Sequence, residues 1–172
     1  ERFTAHEKIS QGALTLDGSE NASVQFATCC RPVPGDAIMG YLGRGEGLVV
    51  HQQNCAVCQK LQHKDKERFI TVDWADEPVR TFEAAVQVTV VNGKGVLARV
   101  ASALATAEAD INHIDMGKEA AQETTALRFL IAVRDLSHLE TALRGLRRVP
   151  SVIRAERVYN QSHTESKNEP DF

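Results

Sequence analysis

All four cysteines of the chain fall between residues 29 and 58, and this clustering is what most limits the fold. Two of them open the string Cys29-Cys30-Arg31-Pro32-Val33-Pro34-Gly35-Asp36, and Cys55 and Cys58 follow Gly45-Glu46-Gly47-Leu48-Val49-Val50-His51. Soft ligand atoms gathered so locally call for a local cause: a metal site, a redox site or a tight structural turn.

The surrounding pattern gives the cluster a scaffold. Val24–Thr28 alternates like a strand and runs into Cys29. Pro32, Pro34, Gly35 and Asp36 make a turn, because proline fixes φ and glycine admits positive φ. Ala37–Leu42 reads as a second strand, 43–47 as a loop, Leu48–His51 as a third strand and Phe69–Trp74 as a last one. Asn54 is a good N-cap, which makes Cys55 the first residue of a short helix and sets Cys58 one turn on.

Zinc asks for four Cys or His ligands in a tetrahedron, and Cys29, Cys30, His51 and Cys55 supply those atom types. Neighbours in extended chain point to opposite faces, so Cys29 and Cys30 share an ion only if the chain kinks between them. Cys58, on the same helical face as Cys55, is a substitute for one of that pair. Two other readings stay open: a redox thiol at a helix N-terminus, and small buried reduced thiols packed around a turn. A unit this short has a thin core, which an ion would reinforce.

At 172 residues the chain holds one domain or two small ones, and a net charge of -3 gives no global attraction to nucleic acid. No apolar run approaches the ~18–20 residues that span a bilayer, and the first residues show no signal-peptide pattern. A cytoplasmic, reducing setting is expected, in which metal or thiol roles outrank disulfides. The first residue is Glu, as expected of a piece of a longer protein.

The chain divides into a linker over 1–20, a cysteine unit over 21–77, a second unit over 78–159 and a disordered polar tail over 160–172. Asp76-Glu77-Pro78 marks the junction. In the second unit Val86, Val88 and Val90 alternate as a strand, and Asn92-Gly93-Lys94-Gly95 breaks it. Leu97, Val100, Ala101 and Leu104 form a helical stripe. Strands follow over Ile111–Gly117 and through Leu127, Phe129, Ile131 and Val133. Ser137-x-x-Glu140 reads as a capping box ahead of a stripe at Leu139, Leu143 and Leu146. Arg147 and Arg148 suit the negative helix end, Pro150 stops it, and Val152–Tyr159 is the last strand. The fold class is α+β: a small Cys-containing α/β domain, then a ferredoxin-like βαββαβ unit.

The second unit resembles an ACT domain, a regulatory module of amino-acid metabolism. The resemblance implies side-by-side pairing into a homodimer and an amino-acid ligand at the turn Asn92, Gly93, Lys94 and Gly95. The simpler reading is that these glycines permit a sharp turn and nothing more.

The motif Cys29-Cys30-Arg31-Pro32-x-Pro34-Gly35-Asp36-x-Ile38-x-Gly40, with Gly45-x-Gly47-Leu48-Val49-Val50-His51-x-x-x-Cys55, resembles the conserved-cysteine module of RelA/SpoT proteins. That module is also called the zinc-finger or RIS domain, and an ACT domain follows it in long members. The stretch from His138-Leu139 to Val152-Ile153 is more similar to the SpoT-type branch. The resemblance implies the regulatory C-terminal end of a guanosine tetra- and pentaphosphate enzyme, partnered by its own N-terminal hydrolase and synthetase domains. The sequence holds no Gly-rich phosphate loop, His-Asp metal cluster or nucleophile–base pair, so this chain alone is expected to be inactive. Two roles follow: an intramolecular regulator, or a module for ribosomal RNA and tRNA. Arg31, Arg44 and Lys60 are the candidate phosphate contacts. Arg147, Arg148, Arg154 and Arg157 form the most basic stretch, but interleaved acids read as a solvated face.

Overall fold

The computed structural model describes residues 14–20, 23–116 and 123–159. The tail expected over 160–172, and residues 1–13 of the expected linker, lie outside the described residues. Among those described, no helix is long and apolar enough to cross a membrane.

The first unit is built on two small sheets. β1 (Leu14–Leu16) pairs in parallel with β6 (Val72–Trp74). In the other sheet, β4 (Leu48–Gln52) is flanked by a parallel β2 (Val24–Phe26) and an antiparallel β3 (Ile38–Leu42), with β5 (Phe69–Ile70) on the far side of β3. Between β4 and β5 runs helix α1 (Ala56–Lys64). Leu14, Leu16, Ile38, Leu48, Val50 and Val72 are the buried set. β1 corrects the linker reading at 14–16. Leu14 and Leu16 alternate around exposed Thr15, but three residues are too few to display a period until a distant partner supplies the ladder. The strand expected over Phe69–Trp74 is two, interrupted at Thr71.

The second unit has the order βαββαβ. Strand β7 (Phe82–Val91) leads to helix α2 (Val96–Thr106), then β8 (Asp110–Met116), β9 (Thr124–Val133), helix α3 (Leu136–Arg147) and β10 (Val152–Arg157). The sheet is antiparallel in the order β10-β7-β9-β8, which is the ferredoxin-like arrangement. Alternation puts Ala84, Val86, Val88 and Val90 of β7 on the same buried face as Leu127, Phe129, Ile131 and Val133 of β9. Both helices cover that face, α2 through Val100 and Leu104, α3 through Leu139, Ala142, Leu143 and Leu146.

Two local readings are corrected here. The stripe of α2 runs Val96, Val100 and Leu104, while Leu97 is 38% exposed. Gly95, at φ 75°, is the N-cap, so Val96 opens the helix and the buried face rotates by one residue. In α3 the N-cap is Asp135, whose carboxylate accepts the His138 N–H at 2.8 Å, and Ser137 lies inside the helix. His138 is buried and fully used. Its Nδ1 accepts the Arg134 N–H at 3.0 Å, which leaves Nε2–H to donate to the Ala107 carbonyl at 2.7 Å. It ties the entrance of α3 to the exit of α2.

The two units interlock. Phe26 stacks on Trp74 at 5.6 Å, and Phe82 meets both edge-on at 5.3 and 5.2 Å. Val33, from the proline turn, is fully buried in the core of the second unit. The Leu136 N–H donates to the Pro34 carbonyl at 2.8 Å. Arg157, at the end of β10, donates to both Asp36 carboxylate oxygens at 2.9 and 2.7 Å and to the Arg31 carbonyl at 2.9 Å. Burial opposes the Arg157 charge, but the Asp36 carboxylate outweighs it and holds the guanidinium above its ordinary range.

The loop entering β4 offers a paired test. Gly45 and Gly47 both have positive φ, but a Cβ at Gly47 would lie 2.3 Å from the Ser23 carbonyl oxygen, whereas one at Gly45 meets nothing within 4 Å. Gly45→Ala is expected to cost about 1 kcal/mol and Gly47→Ala at least about 2 kcal/mol more, read from urea unfolding. Equal midpoints for the two variants would contradict the packing at Ser23.

Candidate metal centre

β4 delivers His51 to the inner end of the first unit's sheet, with 5% of its surface exposed. Just beyond, the Cys55 N–H bonds the Gln52 carbonyl at 3.1 Å and closes a turn. The turn takes up Asn54, so the N-cap of α1 is Cys55, with extended backbone and no side-chain cap bond. The capping signal at Asn54 is thereby spent one residue early, and the Cys55 thiol stays available. From the other side, the chain leaving β2 folds back on itself at residues 28–30. The Arg31 N–H reaches the Ala27 carbonyl at 2.8 Å, and Arg31 adopts φ 43°, in the left-handed region. This is the kink that adjacent cysteines require. It turns Cys29 and Cys30 to the same side.

The resulting constellation is compact. Cys29 Sγ lies 3.4 Å from His51 Nδ1, 3.6 Å from Cys55 Sγ and 3.9 Å from Cys30 Sγ, and Cys30 Sγ lies 3.8 Å from His51 Nδ1. All four ligand atoms fall within 4.8 Å of one another. A tetrahedral ion with bonds of about 2.3 Å to sulfur and about 2.0 Å to nitrogen sets edges of about 3.8 Å (S···S) and about 3.5 Å (S···N). The four side chains therefore form a cluster that can hold a metal ion through three sulfurs and one nitrogen.

The electrostatics agree with that use. The bond with Cys30 pulls the Cys29 thiol down to about 4, helped by His51 and Cys55 and opposed by burial. The same bond, with burial, pushes Cys30 up. The two neighbouring thiols are thus pushed in opposite directions, and a cation between them would favour the thiolate form of both. Cys58 stands apart: it is fully buried inside α1, and burial pushes its thiol up to about 11. It does not join the four. All four thiols are free of disulfides.

Gln52 is a participant that the sequence did not reveal. Its N–H reaches Cys30 Sγ at 3.3 Å and its Nε2 donates to the Cys30 carbonyl at 2.6 Å, so one residue grips the turn from two directions. The only hint was an amide immediately after His51, at the end of an apolar strand.

The other candidates lie elsewhere. Arg31 pairs with Glu83 of β7, which in turn accepts from Asn112 at 3.2 Å, so the Arg31 guanidinium is committed inside the molecule. Arg44 and Lys60 are exposed. Of the basic stretch, Arg147 donates twice to the Ala155 carbonyl, at 3.0 and 2.8 Å, and Arg157 is held by Asp36. Asn92, Gly93, Lys94 and Gly95 form an exposed turn at the other end of β7, ten residues or about 30 Å from Phe82. There Asn92 Oδ1 accepts the Thr125 hydroxyl at 2.7 Å, and Arg99 bridges the Lys94 carbonyl and the Ser151 hydroxyl at 3.2 and 3.0 Å.

Comparison with known proteins matches the RelA/SpoT RIS domain to residues 14–75 and the ACT domain to residues 78–157. A bifunctional (p)ppGpp synthase/hydrolase SpoT of Escherichia coli is 33% identical over 151 residues, covering 88% of this chain and 21% of that protein. A bifunctional (p)ppGpp synthase/hydrolase RelA of Mycobacterium tuberculosis is 34% identical over 146 residues, covering 84% of this chain and 19% of that protein. A GTP pyrophosphokinase of Escherichia coli is 26% identical over 148 residues, covering 86% and 20%. The chain thus spans about a fifth of the length of these curated relatives. With a RIS domain running directly into an ACT domain, the chain belongs to the RelA/SpoT family and constitutes a regulatory region of that family.

Proposed function

We propose that this chain is the regulatory part of a (p)ppGpp synthase/hydrolase, acting in cis on catalytic domains of the parent protein to set the balance of synthesis and hydrolysis. The observation that carries this reading is the interlocked RIS–ACT pair, which matches relatives named as synthase/hydrolases over a fifth of their length. A body with few internal freedoms suits the role, since regulation needs a unit that meets the catalytic domains differently in two states. The fragment itself is proposed to be inactive. The RNA-binding alternative loses Arg31, which Glu83 occupies, and retains Arg44 and Lys60 as exposed cations.

Zinc is the proposed ion. Cys29, Cys30, His51 and Cys55 would hold it, and with no open position it would supply a structural crosslink rather than Lewis-acid chemistry. The protein's own part is to present the four groups: the turn at 28–31 aims two thiols, β4 aims the imidazole, and the N-cap of α1 aims the third thiol. The ACT edge is proposed to pair with a second copy. β8 ends the sheet and is exposed along most of its length, with Ile114 and Met116 unburied, and an open strand edge of this kind invites pairing. An amino acid at the Asn92–Gly95 turn remains the proposed small-molecule ligand.

In a parent enzyme carrying this region, deletion of residues 14–159 is expected to change the ratio of (p)ppGpp hydrolysis to synthesis by about fivefold or more. Unchanged rates for both reactions would sink the regulatory reading, and salt-sensitive cosedimentation of the isolated chain with ribosomes would favour the RNA alternative. Metal analysis should find one zinc per wild-type chain. Cys29→Ser, Cys30→Ser, His51→Ala and Cys55→Ser should each lose most of it, while Cys58→Ser keeps it. Loss from Cys58→Ser equal to that from Cys29→Ser would falsify the four-ligand assignment.

A further inference from the structure

The four ligands lie in the RIS domain, yet the residue that closes the turn carrying two of them is held from the ACT domain. Arg31 immediately follows the Cys29–Cys30 pair and sits at φ 43°. A non-glycine residue there is strained and persists only when its surroundings over-determine it. Here both ends of Arg31 are captured across the domain boundary. Its carbonyl accepts from Arg157 Nη2 at 2.9 Å, and its guanidinium pairs with Glu83. Arg157 also clamps the far end of the same turn through both oxygens of Asp36. The Asp36 carboxylate in turn accepts the Val33 N–H at 2.8 Å, and the Asp36 carbonyl accepts the Trp74 indole N–H at 3.1 Å. The side chains of Arg157 and Asp36 are only 11% and 7% exposed, so the clamp is shielded from solvent.

We propose that Arg157 of the ACT domain is a positioning residue for the RIS metal site, so that ion binding and RIS–ACT docking are one coupled equilibrium. The inference rests on the metal reading above and goes beyond it. With the Arg157 clamp in place, Arg31 stays left-handed, and Cys29 and Cys30 face His51 and Cys55. Without it, Arg31 relaxes to negative φ, the bond from its N–H to the Ala27 carbonyl loses its anchor, and the turn at 28–31 that carries both cysteines opens. Linkage makes the effect reciprocal: an ion that fixes the Cys29–Cys30 kink also presents the Arg31 carbonyl and the Asp36 carboxylate to Arg157. The state of the ion site is thereby felt at the end of β10 and, through the bond between the Pro34 carbonyl and the Leu136 N–H, at the start of α3.

The test measures zinc affinity of the whole 172-residue chain by competition with a chromophoric chelator. Wild type is compared with Arg157→Gln and Arg157→Lys, and with Glu156→Gln as an exposed neighbour on β10. Arg157→Gln is expected to bind zinc about tenfold more weakly or worse, and Glu156→Gln within about twofold of wild type. Arg157→Lys should fall between, because lysine keeps the charge but not the two-pronged fork. Equal affinities for wild type and Arg157→Gln overturn the coupling while leaving the metal reading intact. A wild-type chain that binds no zinc overturns both. Should Arg157→Gln fail to fold, amide hydrogen exchange of the wild type decides. Zinc removal then has to accelerate exchange at Leu136 and along 152–158, and unchanged exchange at those amides overturns the proposal.

Discussion

Burying a guanidinium is costly unless an opposite charge and good acceptors receive it. Arg157 finds both in one short loop: the two oxygens of Asp36 and the carbonyl of Arg31. The loop it grips is the segment that follows the paired cysteines, and the strand that carries it is an edge of the ACT sheet. Much of the remaining structure depends on this bond set. It fixes the turn that aims Cys29 and Cys30, keeps Val33 inserted in the neighbouring core, and sets the two domains against each other. Breaking such a pair by removing one partner leaves a buried charge uncompensated, typically at about 3–5 kcal/mol.

The RIS domain needs that outside support because its own core is small. Six buried apolar residues span its two sheets, whereas the ACT core draws on a long face of β7 and β9 beneath two helices. The aromatic cluster of Phe26, Trp74 and Phe82 joins the two cores, and Arg80 covers it, its guanidinium carbon 5.2 and 4.9 Å from the Phe26 and Phe82 ring centres. Such contacts add roughly 0.5–1.5 kcal/mol each beyond simple burial. The four candidate metal ligands follow closely on Phe26 and Val50 in the chain, and an ion there would be a second brace for a thin core, as in other small domains.

The ACT half was legible because its strands are long and its periods clean. Ten residues of β9 alternate faithfully, and Leu139, Leu143 and Leu146 mark one face of α3. Sequence and structure part where a single residue decides the phase. Gly95 as N-cap rotated the α2 stripe from Leu97 to Val96, and Asp135 took the capping role expected of Ser137. In the RIS half, β1 is not legible because three residues cannot announce a strand without their partner, and Asn54 is absorbed into a turn that promotes Cys55 to the cap. The residue types of the metal cluster could be named from spacing. Whether both Cys29 and Cys30 join, or Cys58 replaces one of them, could not, because it depends on the turn at 28–31 that the Arg31 N–H closes on the Ala27 carbonyl.

The sequence by itself determined the alternation that builds the ACT sheet, the order of that domain's elements, and the confinement of every thiol to one short stretch. These are local properties, set by side-chain period and by the φ limits of proline and glycine. Only the tertiary structure decided that Cys29 and Cys30 face the same way, that Cys58 is left out, that Gln52 grips the turn, and that Arg31 serves Glu83. Each of those outcomes depends on groups from 21 to 126 residues apart in the chain meeting within hydrogen-bond distance. No periodicity encodes such a meeting; it exists only once two cores have packed and a left-handed residue has been held in place from the other domain.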